Sequence, residues 1–412
     1  MLHTSDWHLG HRLYERERRE EQAMALDWML ETIAEEQIEL LIVAGDIFDL
    51  ANPPNYAREQ YYDFLGRLRA TGCNQVVIVG GNHDSPTMLD APSGLFKHFD
   101  IHVVGAATDK REDQLVEIKD QDGRQIGWVA AVPFLRDRDL RYSIAGQTPG
   151  QREKKLQAGI TEHYREIADL VKHKSKEDQL RITTGHLYAR GAESSARQDN
   201  IYIGSRENIQ AEQFPELFHY VALGHIHRPQ RVGSQERIRY SGSIIPLDFS
   251  ETADQKSVVI LDWQDEKLDA EIVEVPVFRR LKSIIGNLEE VEEKLSKFLA
   301  KRAIAEGPDA LAPWLEIRIS TDKPIPGLAE RLQDLIDSRP AEILAIRLER
   351  TGSQGMGNQQ EVLPELDELD PEAVFKKLIS GGSGELPADG PELLDSFREL
   401  RDWHQQQKME MQ

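Results

Sequence analysis

The sequence predicts an α/β protein of two or three domains, and three observations lead to this prediction. Short apolar runs alternate with segments whose apolar residues recur every three or four positions, the patterns of buried strands and of amphipathic helices. Polar residues gather where the strand-like runs end, which is where α/β folds hold ligands. Finally, 412 residues exceed the length of one ordinary domain.

The first half of the chain carries the clearest alternation of helix and strand. The spacing of apolar residues predicts helices over 23–33 and 61–68. Buried strands are predicted at four apolar runs: 40–44, 76–79, 180–184 and 220–223. Each run is followed by one or two glycines and then by a polar residue, so polar side chains lie at the ends of the predicted strands.

The second half predicts smaller units. From residue 255 the pattern is β-like, with runs at 258–261 and 272–273, and Pro276 closes it. Helix and strand patterns then alternate as far as residue 348, which predicts a small α+β cap, and a Gly-, Ser- and Gln-rich segment reads as a linker. The predicted divisions are a main domain at 1–276, the cap at 277–350, the linker at 351–362 and a helical tail at 363–412.

The tail carries two short amphipathic helices, one after Asp370-Pro371 and one after Pro391. Two isolated helices bury little apolar surface, so we expect these to dock on something. The rest of this chain is one candidate, and a partner protein is slightly favoured.

Charge and composition narrow the class of protein. The net charge of −22 argues against a free-standing DNA-binding protein, because such proteins usually present a basic surface. No apolar run approaches the roughly 20 residues that span a bilayer. The first residues resemble no signal peptide, and the single cysteine, Cys73, fits a reducing compartment and a core position. We therefore expect a cytoplasmic protein.

Five polar clusters follow apolar runs and should meet at one edge of a sheet. They are Asp6-Trp7-His8, Gly45-Asp46 with Asp49, Gly81-Asn82-His83-Asp84, Gly185-His186, and Gly224-His225-Ile226-His227. Carboxylate, amide oxygen and imidazole ligands suit manganese, iron or zinc, and the near absence of cysteine disfavours a thiolate site. The clusters predict a metal centre.

Cleavage of a phosphodiester explains why two metal ions would be needed. Two divalent ions about 3.5–4 Å apart can neutralise the phosphate and activate water, and a shared carboxylate can hold that spacing. Asp46, in a tight Gly-Asp turn, is the natural bridge. An imidazole can then protonate the leaving oxygen.

The five clusters, in this order over residues 6–227, resemble those of the calcineurin-like metallophosphoesterases. The resemblance implies a layered β-sandwich flanked by helices, with the cap and the C-terminal helices added to it. It also implies the ligands of both ions: Asp6, His8, Asp46 and His227 for one, and Asp46, Asn82, His186 and His225 for the other. His83 would be the general acid, oriented by Asp49.

A narrower resemblance is to the nuclease subunits of bacterial nuclease–ATPase complexes. It is carried by residues 2–10, 44–49, 81–85, 201–204, 222–228 and 240–247. It implies a manganese-dependent, ATP-coupled nuclease for DNA repair, recombination and replication, acting as a 3′–5′ exonuclease on double strands and an endonuclease on single strands and hairpins. It further implies a homodimer, and a coiled-coil ATPase gripped by the tail.

Two other functions compete with this one. A stand-alone phosphoesterase for nucleotides or phosphoproteins would use the same scaffold and would not need the tail helices. A non-enzymatic tether between an ATPase and DNA ends is disfavoured, because every expected type of metal ligand is present.

Overall fold

The structure is a computed structural model that describes residues 1–140, 149–190, 192–193, 208–305, 311–321, 325–336 and 341–349, with Leu393, Leu394 and Phe397. The chain divides into two compact units, Met1–Thr351 and Gly352–Gln412. Apart from those three residues, the predicted linker and helical tail lie outside the described residues, as do residues 201–204.

The first unit contains nineteen described strands and eight described helices. The strands are β1 Leu2–Thr4, β2 Arg12–Leu13, β3 Arg16–Glu17, β4 Leu40–Ala44, β5 Gln75–Val79, β6 Ile101–Val104, β7 Leu115–Lys119, β8 Gln125–Ala130, β9 Leu180–His186, β10 Tyr188–Arg190, β11 Asn208–Gln210, β12 Tyr220–Gly224, β13 Gln230–Val232, β14 Gln235–Tyr240, β15 Ser257–Gln264, β16 Lys267–Glu274, β17 Arg279–Gly286, β18 Leu311–Ser320 and β19 Glu342–Glu349. The helices are α1 Arg19–Glu35, α2 Asn55–Leu68, α3 Pro86–Asp90, α4 Ser93–Phe96, α5 Asp137–Leu140, α6 Pro149–Lys174, α7 Leu288–Ala305 and α8 Leu328–Ile336. No helix in the described part of the chain is long and apolar enough to cross a membrane.

The first six-stranded sheet aligns the ends of three strands that precede predicted ligands. Its order is β16-β15-β1-β4-β5-β6, and β1, β4, β5 and β6 run parallel. Thr4 pairs with Val43, and Ala44 pairs with Val79, so these strands end side by side. The loops that follow them therefore leave the sheet at the same edge.

The second six-stranded sheet aligns the ends of two further strands that precede or carry predicted ligands. Its order is β13-β14-β12-β9-β8-β7, with β8, β9, β12 and β14 parallel. Gly224 at the end of β12 pairs with His186 at the end of β9. This register brings His225 next to His186.

The two sheets pack face to face and helices cover their outer faces. The core between the sheets joins residues of β4 and β5, such as Ile42 and Val77, to residues of β9 and β12, such as Ile182 and Ala222. Helices α1 and α2 pack on the outer face of the first sheet, and α6 packs on that of the second. The layered sandwich flanked by helices, which the family resemblance implied, is confirmed.

The elements predicted after residue 277 form a three-stranded parallel sheet, β17-β18-β19, covered on one face by α7 and α8. Its other face packs Trp314 against Leu13 and Phe249 of the sandwich. At this junction Arg279 stacks on Trp314, 4.3 Å from the ring centre, and forms an ion pair with Glu21 of α1. Buried aromatic and ionic contacts thus hold the cap against the sandwich.

Candidate metal centre

All seven predicted metal ligands lie at the common edge of the two sheets. The first sheet supplies four of them in the loops after β1, β4 and β5, namely Asp6, His8, Asp46 and Asn82. The second sheet supplies His186 at the end of β9 and His225 and His227 after β12. The strand pattern predicted one edge of a single sheet, whereas the centre is shared between two.

The backbone of these loops is held in an uncommon conformation. Asp6, His8, Asp46 and His225 have positive φ angles of 51°, 45°, 49° and 100°. Such strained conformations persist only where the surroundings fix them, and they cluster at functional sites. Here the loops fix one another: Asp6 N–H donates to Gly45 O at 3.0 Å, and His8 N–H donates to Asp46 O at 3.0 Å. Main-chain N–H of His225 donates to the carboxylate of Asp6 at 3.0 and 3.1 Å.

The first group of donors is Asp6, His8 and His227, whose ligand atoms all lie within 4.8 Å of one another. A carboxylate accepts a hydrogen bond from the far nitrogen of each imidazole. His8 Nδ1 lies 3.1 Å from Asp49 Oδ1, and His227 Nδ1 lies 2.9 Å from Glu251 Oε1. Such a carboxylate fixes the tautomer and leaves Nε2 as the free electron pair, the arrangement usual for metal-binding histidines.

The second group of donors is Asp46, His186 and His225, joined by the side chain of Asn82. His186 Nδ1 donates to Ala44 O at 2.9 Å, so its Nε2 carries the electron pair. That atom lies 3.1 Å from Asp46 Oδ2 and 3.0 Å from Asn82 Oδ1. His225 Nδ1 also lies 3.0 Å from Asn82 Oδ1. Several electron pairs therefore face one point, and a cation bound at that point would accept them.

Asp46 lies between the two groups, and its surroundings fit a pair of cations. His8 Nε2 is 3.6 Å from Asp46 Oδ2, the same oxygen that His186 approaches. His8 Nε2 is buried and has no hydrogen-bond partner among the described residues. A buried polar atom is costly without a partner, so this atom fits the role of a metal ligand.

The electrostatics of the centre also favour positive charge. Burial alone would lower the pKa of His8, but Asp49, Asp46 and Asp6 raise it to about 9. Burial opposes the ionisation of Asp46 as well, yet His186 and the other nearby histidines hold its pKa well below the usual range. The pKa of His186 rises to about 9, because Asp46 and Asp6 outweigh the effect of burial. Without metal, protons therefore gather where cations would bind.

The predicted general acid, His83, stands beside both groups. Its Nδ1 lies 2.8 Å from the main-chain oxygen of Asp49, and its own N–H donates to Asp46 Oδ1 at 3.0 Å. The family resemblance implied that Asp49 orients His83. The backbone carbonyl of Asp49 contacts His83, whereas the carboxylate of Asp49 is engaged with His8. The ring of His83 is half-buried, and Nε2 is the ring nitrogen that the Asp49 carbonyl does not engage.

Several residues that support the centre had no role predicted from the sequence. Asp84 accepts hydrogen bonds from main-chain N–H groups of Gly81, Ile47 and Phe48, and so ties the loop after β5 to the loop after β4. Burial and then the charge of Asp46 raise the pKa of Asp84 to about 6. Its position inside the Gly-Asn-His-Asp cluster was a signal that could have revealed this role.

The sequence positions of Gln22 and Glu251 did not indicate that these residues support the centre. Gln22, on α1, donates to His8 O at 2.7 Å and accepts from Gly10 N–H at 3.3 Å. Glu251 lies 24 residues beyond His227 and reaches it only through the fold. Neither spacing follows a local pattern, so a structure was needed to identify them.

Comparison with known proteins agrees with this geometry. Residues 1–229 match the family model of calcineurin-like phosphoesterases, and residues 277–380 match the model described as type 5 capsule protein repressor C-terminal domain. The chain is 36% identical to the SbcD subunit of the nuclease SbcCD of Escherichia coli strain K12 over 384 residues, 92% of each chain. It is 30% identical to the protein of that name from Rhodobacter capsulatus over 363 residues, 85% of this chain and 87% of the relative. It is 33% identical to that from Bacillus subtilis over 279 residues, 66% of this chain and 70% of the relative. The chain therefore belongs to the calcineurin-like phosphoesterases and, among them, to the family of SbcD nuclease subunits.

Proposed function

We propose that this chain is the nuclease subunit of an SbcCD-type complex and hydrolyses DNA phosphodiesters with two divalent ions, most simply manganese. The observation that carries the proposal is the pair of donor groups around Asp46. One of its oxygens lies 3.6 Å from His8 Nε2 and 3.1 Å from His186 Nε2. A carboxylate approached in this way by imidazoles from both groups is suited to bridge two ions.

Seven side chains would hold the ions and His83 would handle the leaving-group proton. Asp6, His8, Asp46 and His227 would hold one ion, and Asp46, Asn82, His186 and His225 the other. When bound, two such ions neutralise a phosphodiester and lower the pKa of water. His83 Nδ1 is held by the Asp49 carbonyl, so Nε2 is the atom from which a proton would pass to the leaving oxygen. Oxygen and nitrogen donors without thiolate suit manganese.

The names of the relatives and the charge of this chain support the proposed partners. A chain with a net charge of −22 attracts DNA poorly, so an SbcC-like coiled-coil ATPase would contribute DNA-binding surface and couple cleavage to ATP. With it, the chain would act as a 3′–5′ exonuclease on double strands and an endonuclease on single strands and hairpins. DNA repair, recombination and replication in the cytoplasm are the corresponding processes.

A homodimer is the second assembly that we propose. Three large apolar side chains on α2 and in the segment after α3 are exposed, namely Tyr62 at 43%, Leu95 at 61% and Phe99 at 46%. A second copy of the chain would cover this surface. Light scattering of the wild type and of Leu95→Glu tests this, and a monomeric wild type would exclude the dimer.

The nuclease proposal is tested with His83→Ala and a matched histidine control. His173, an exposed residue in the last turn of α6, provides the control variant His173→Ala. We expect His83→Ala to bind two manganese ions and to lose cleavage of linear duplexes and hairpins, whereas His173→Ala keeps both properties. Full cleavage by a metal-loaded His83→Ala protein would remove His83 from the mechanism. Turnover of nucleotides or phosphopeptides, with no cleavage of DNA under any condition, would favour the stand-alone phosphoesterase.

Coupling to ATP requires the partner. The full chain is therefore copurified with the coiled-coil ATPase, and degradation of a duplex labelled at one 3′ end is followed with and without ATP. We expect ATP to accelerate degradation from the 3′ end, and equal rates in both conditions would refute the coupling.

A further inference from the structure

Behind His227 lies a buried ion pair that the proposed chemistry does not use. Glu251 ends the short turn Phe249–Glu251, and its Oε1 lies 2.9 Å from His227 Nδ1. Its Oε2 accepts from Lys256 Nζ at 2.8 Å and from Leu247 N–H at 3.1 Å. Lys256 Nζ also donates to the main-chain oxygen of His227 at 2.8 Å. Glu251 thus contacts the ring of His227, and Lys256 contacts its backbone.

This pair is enclosed by protein. Glu251 is 2% exposed and Lys256 is 4% exposed. A buried ion pair has a large desolvation cost and contributes little net stability, so its presence calls for another role. Orientation of a ligand is such a role. The Glu251 carboxylate holds Nδ1 of His227, so that only Nε2 faces the metal position beside Asp6 and His8.

The two donor groups differ in charge and in what lies behind their imidazoles. The first group has a carboxylate of its own, Asp6, in addition to the shared Asp46, and carboxylates lie behind both of its imidazoles. The second group has no carboxylate apart from Asp46. Behind His186 is a neutral carbonyl, that of Ala44. A divalent cation is held more tightly where more negative charge is close and the ligands are already oriented.

We infer that Glu251, held by Lys256, is a positioning residue for His227 that makes the Asp6–His8–His227 position the tighter of two unequal metal sites. This inference rests on the proposed function, since it takes those residues as ligands. It assigns an order to metal loading: the first ion enters at Asp6, His8 and His227, and the second enters at Asn82, His186 and His225.

The order of loading can be measured without catalysis. The paramagnetic resonance signal of free manganese reports how much Mn²⁺ remains in solution during a titration of the full chain, and calorimetry reports the two binding steps. We expect two steps of different affinity in the wild type. Removal of the residue behind a metal-binding histidine typically weakens affinity about 10–100-fold, so Glu251→Ala should weaken the tight step by that factor and leave the weak step within about twofold.

Three further variants separate orientation from folding. Glu251→Gln keeps an oxygen that can accept from His227 and should recover most of the affinity, which a purely structural loss would not do. Glu251→Leu combined with Lys256→Met removes the ion pair without leaving a buried charge, and should fold but still bind the first ion weakly. Asp254→Asn is the control, because Asp254 is a mostly buried carboxylate of the same segment that pairs with Arg228; both steps should be unchanged.

The outcomes distinguish this inference from the function on which it rests. A wild type that binds no manganese, or only one ion, would contradict the two-metal function itself. If the wild type binds two ions in equal steps, or if folded Glu251→Ala keeps the tight step, the function stands and the role of Glu251 is refuted. Equal weakening of both steps would also refute it, because the effect would then not be local to His227.

Discussion

Substitution of Gly224 by alanine should disable one metal position and leave the fold largely intact. Gly224 ends β12, pairs with His186 and directly precedes His225. A Cβ atom at this position would lie 1.9 Å from Ala44 O and 2.9 Å from His186 Nδ1. These two atoms form the hydrogen bond that orients His186. The added methyl group would therefore strike the contact that fixes a predicted ligand.

The distance by which the backbone must move decides whether Gly224→Ala loses metal binding or the fold. Contacts to a Cβ below 3.0 Å are essentially never found, so the backbone must separate by about 1.1 Å. Metal–ligand distances tolerate only about 0.2 Å, and a displacement of about 1 Å near the chemistry typically lowers the rate about 100-fold. Overpacking of a core costs only about 1–3 kcal/mol, which a domain of this size can absorb.

The variant is compared with Gly150→Ala. Gly150 lies in the first turn of α6, and a Cβ there would meet no atom within 4 Å. Manganese binding is followed by the resonance of the free ion, and cleavage is followed on a linear duplex. We expect Gly224→Ala to lose the ion held by His186 and His225 and at least about 99% of its cleavage rate. Two ions bound with wild-type affinity by Gly224→Ala would refute the placement of the ligands.

Three further predictions concern stability. Glu21→Gln leaves the buried guanidinium groups of Arg18 and Arg279 without their shared carboxylate. The free energy of unfolding should therefore fall by about 3–5 kcal/mol. Proteolysis near residue 276 should also be faster than in the wild type. His163 is buried against Gln114, and burial followed by the charge of Arg111 lowers its pKa to about 3. Since the unfolded chain takes up this proton below about pH 6.5, His163 alone should lower the free energy of unfolding by about 2 kcal/mol between about pH 8 and pH 5. Denaturant titrations of His163→Gln should show a loss over this range that is smaller than that of the wild type by this amount. EDTA should lower the melting temperature and manganese should restore it, because an ion at a hundredfold excess over its Kd adds about 2.7 kcal/mol; a melting temperature that responds to neither would contradict the metal centre.

The parts of the fold that could be predicted from the sequence are those governed by local patterns. The apolar runs at 40–44, 76–79, 180–184 and 220–223 are strands in the structure, each extended by at most two residues. The runs are largely buried on both faces, so their patterns are continuous, and each strand ends within one residue of the glycine that follows the run. The same local signal located the predicted ligands, because the ends of parallel strands converge.

The elements between residues 115 and 174 were not predicted from the sequence. The strands β7 and β8 are short, and β7 alternates buried and exposed residues, which is a weaker signal than a continuous apolar run. Helix α6 faces the core through Ile160, Tyr164, Ile167 and Val171, at helical spacing, and that periodicity could have revealed it. The four-layered architecture was accordingly implied by the family resemblance rather than by the patterns themselves.

The division of strands between two sheets could not be read from local patterns at all. Leu2 pairs with Ile260 on one side and with Leu41 on the other, so the first sheet joins residues far apart in the chain. The sequence pattern located the ligand candidates on strand ends, but a single sheet and a pair of sheets are equally compatible with that pattern. Only the packing of Ile42 against residues such as Ile182 decides between them.

The negative charge of the whole chain, which argues against a free-standing DNA-binding protein, is matched by negative charge in the candidate metal centre. Asp6, Asp46 and Asp49 form no ion pair with lysine or arginine in the part of the chain that the structure describes, and histidines are the basic groups around them. Without cations this pocket would repel a phosphate, and near neutral pH it would hold protons instead. Two divalent ions would bring four positive charges to these carboxylates and the nearby Asp84, so metal loading would offset the local negative charge. Binding of the scissile phosphate, and not its hydrolysis alone, would then depend on the ions, and the acidic surface would limit cleavage to DNA that a partner delivers to the centre.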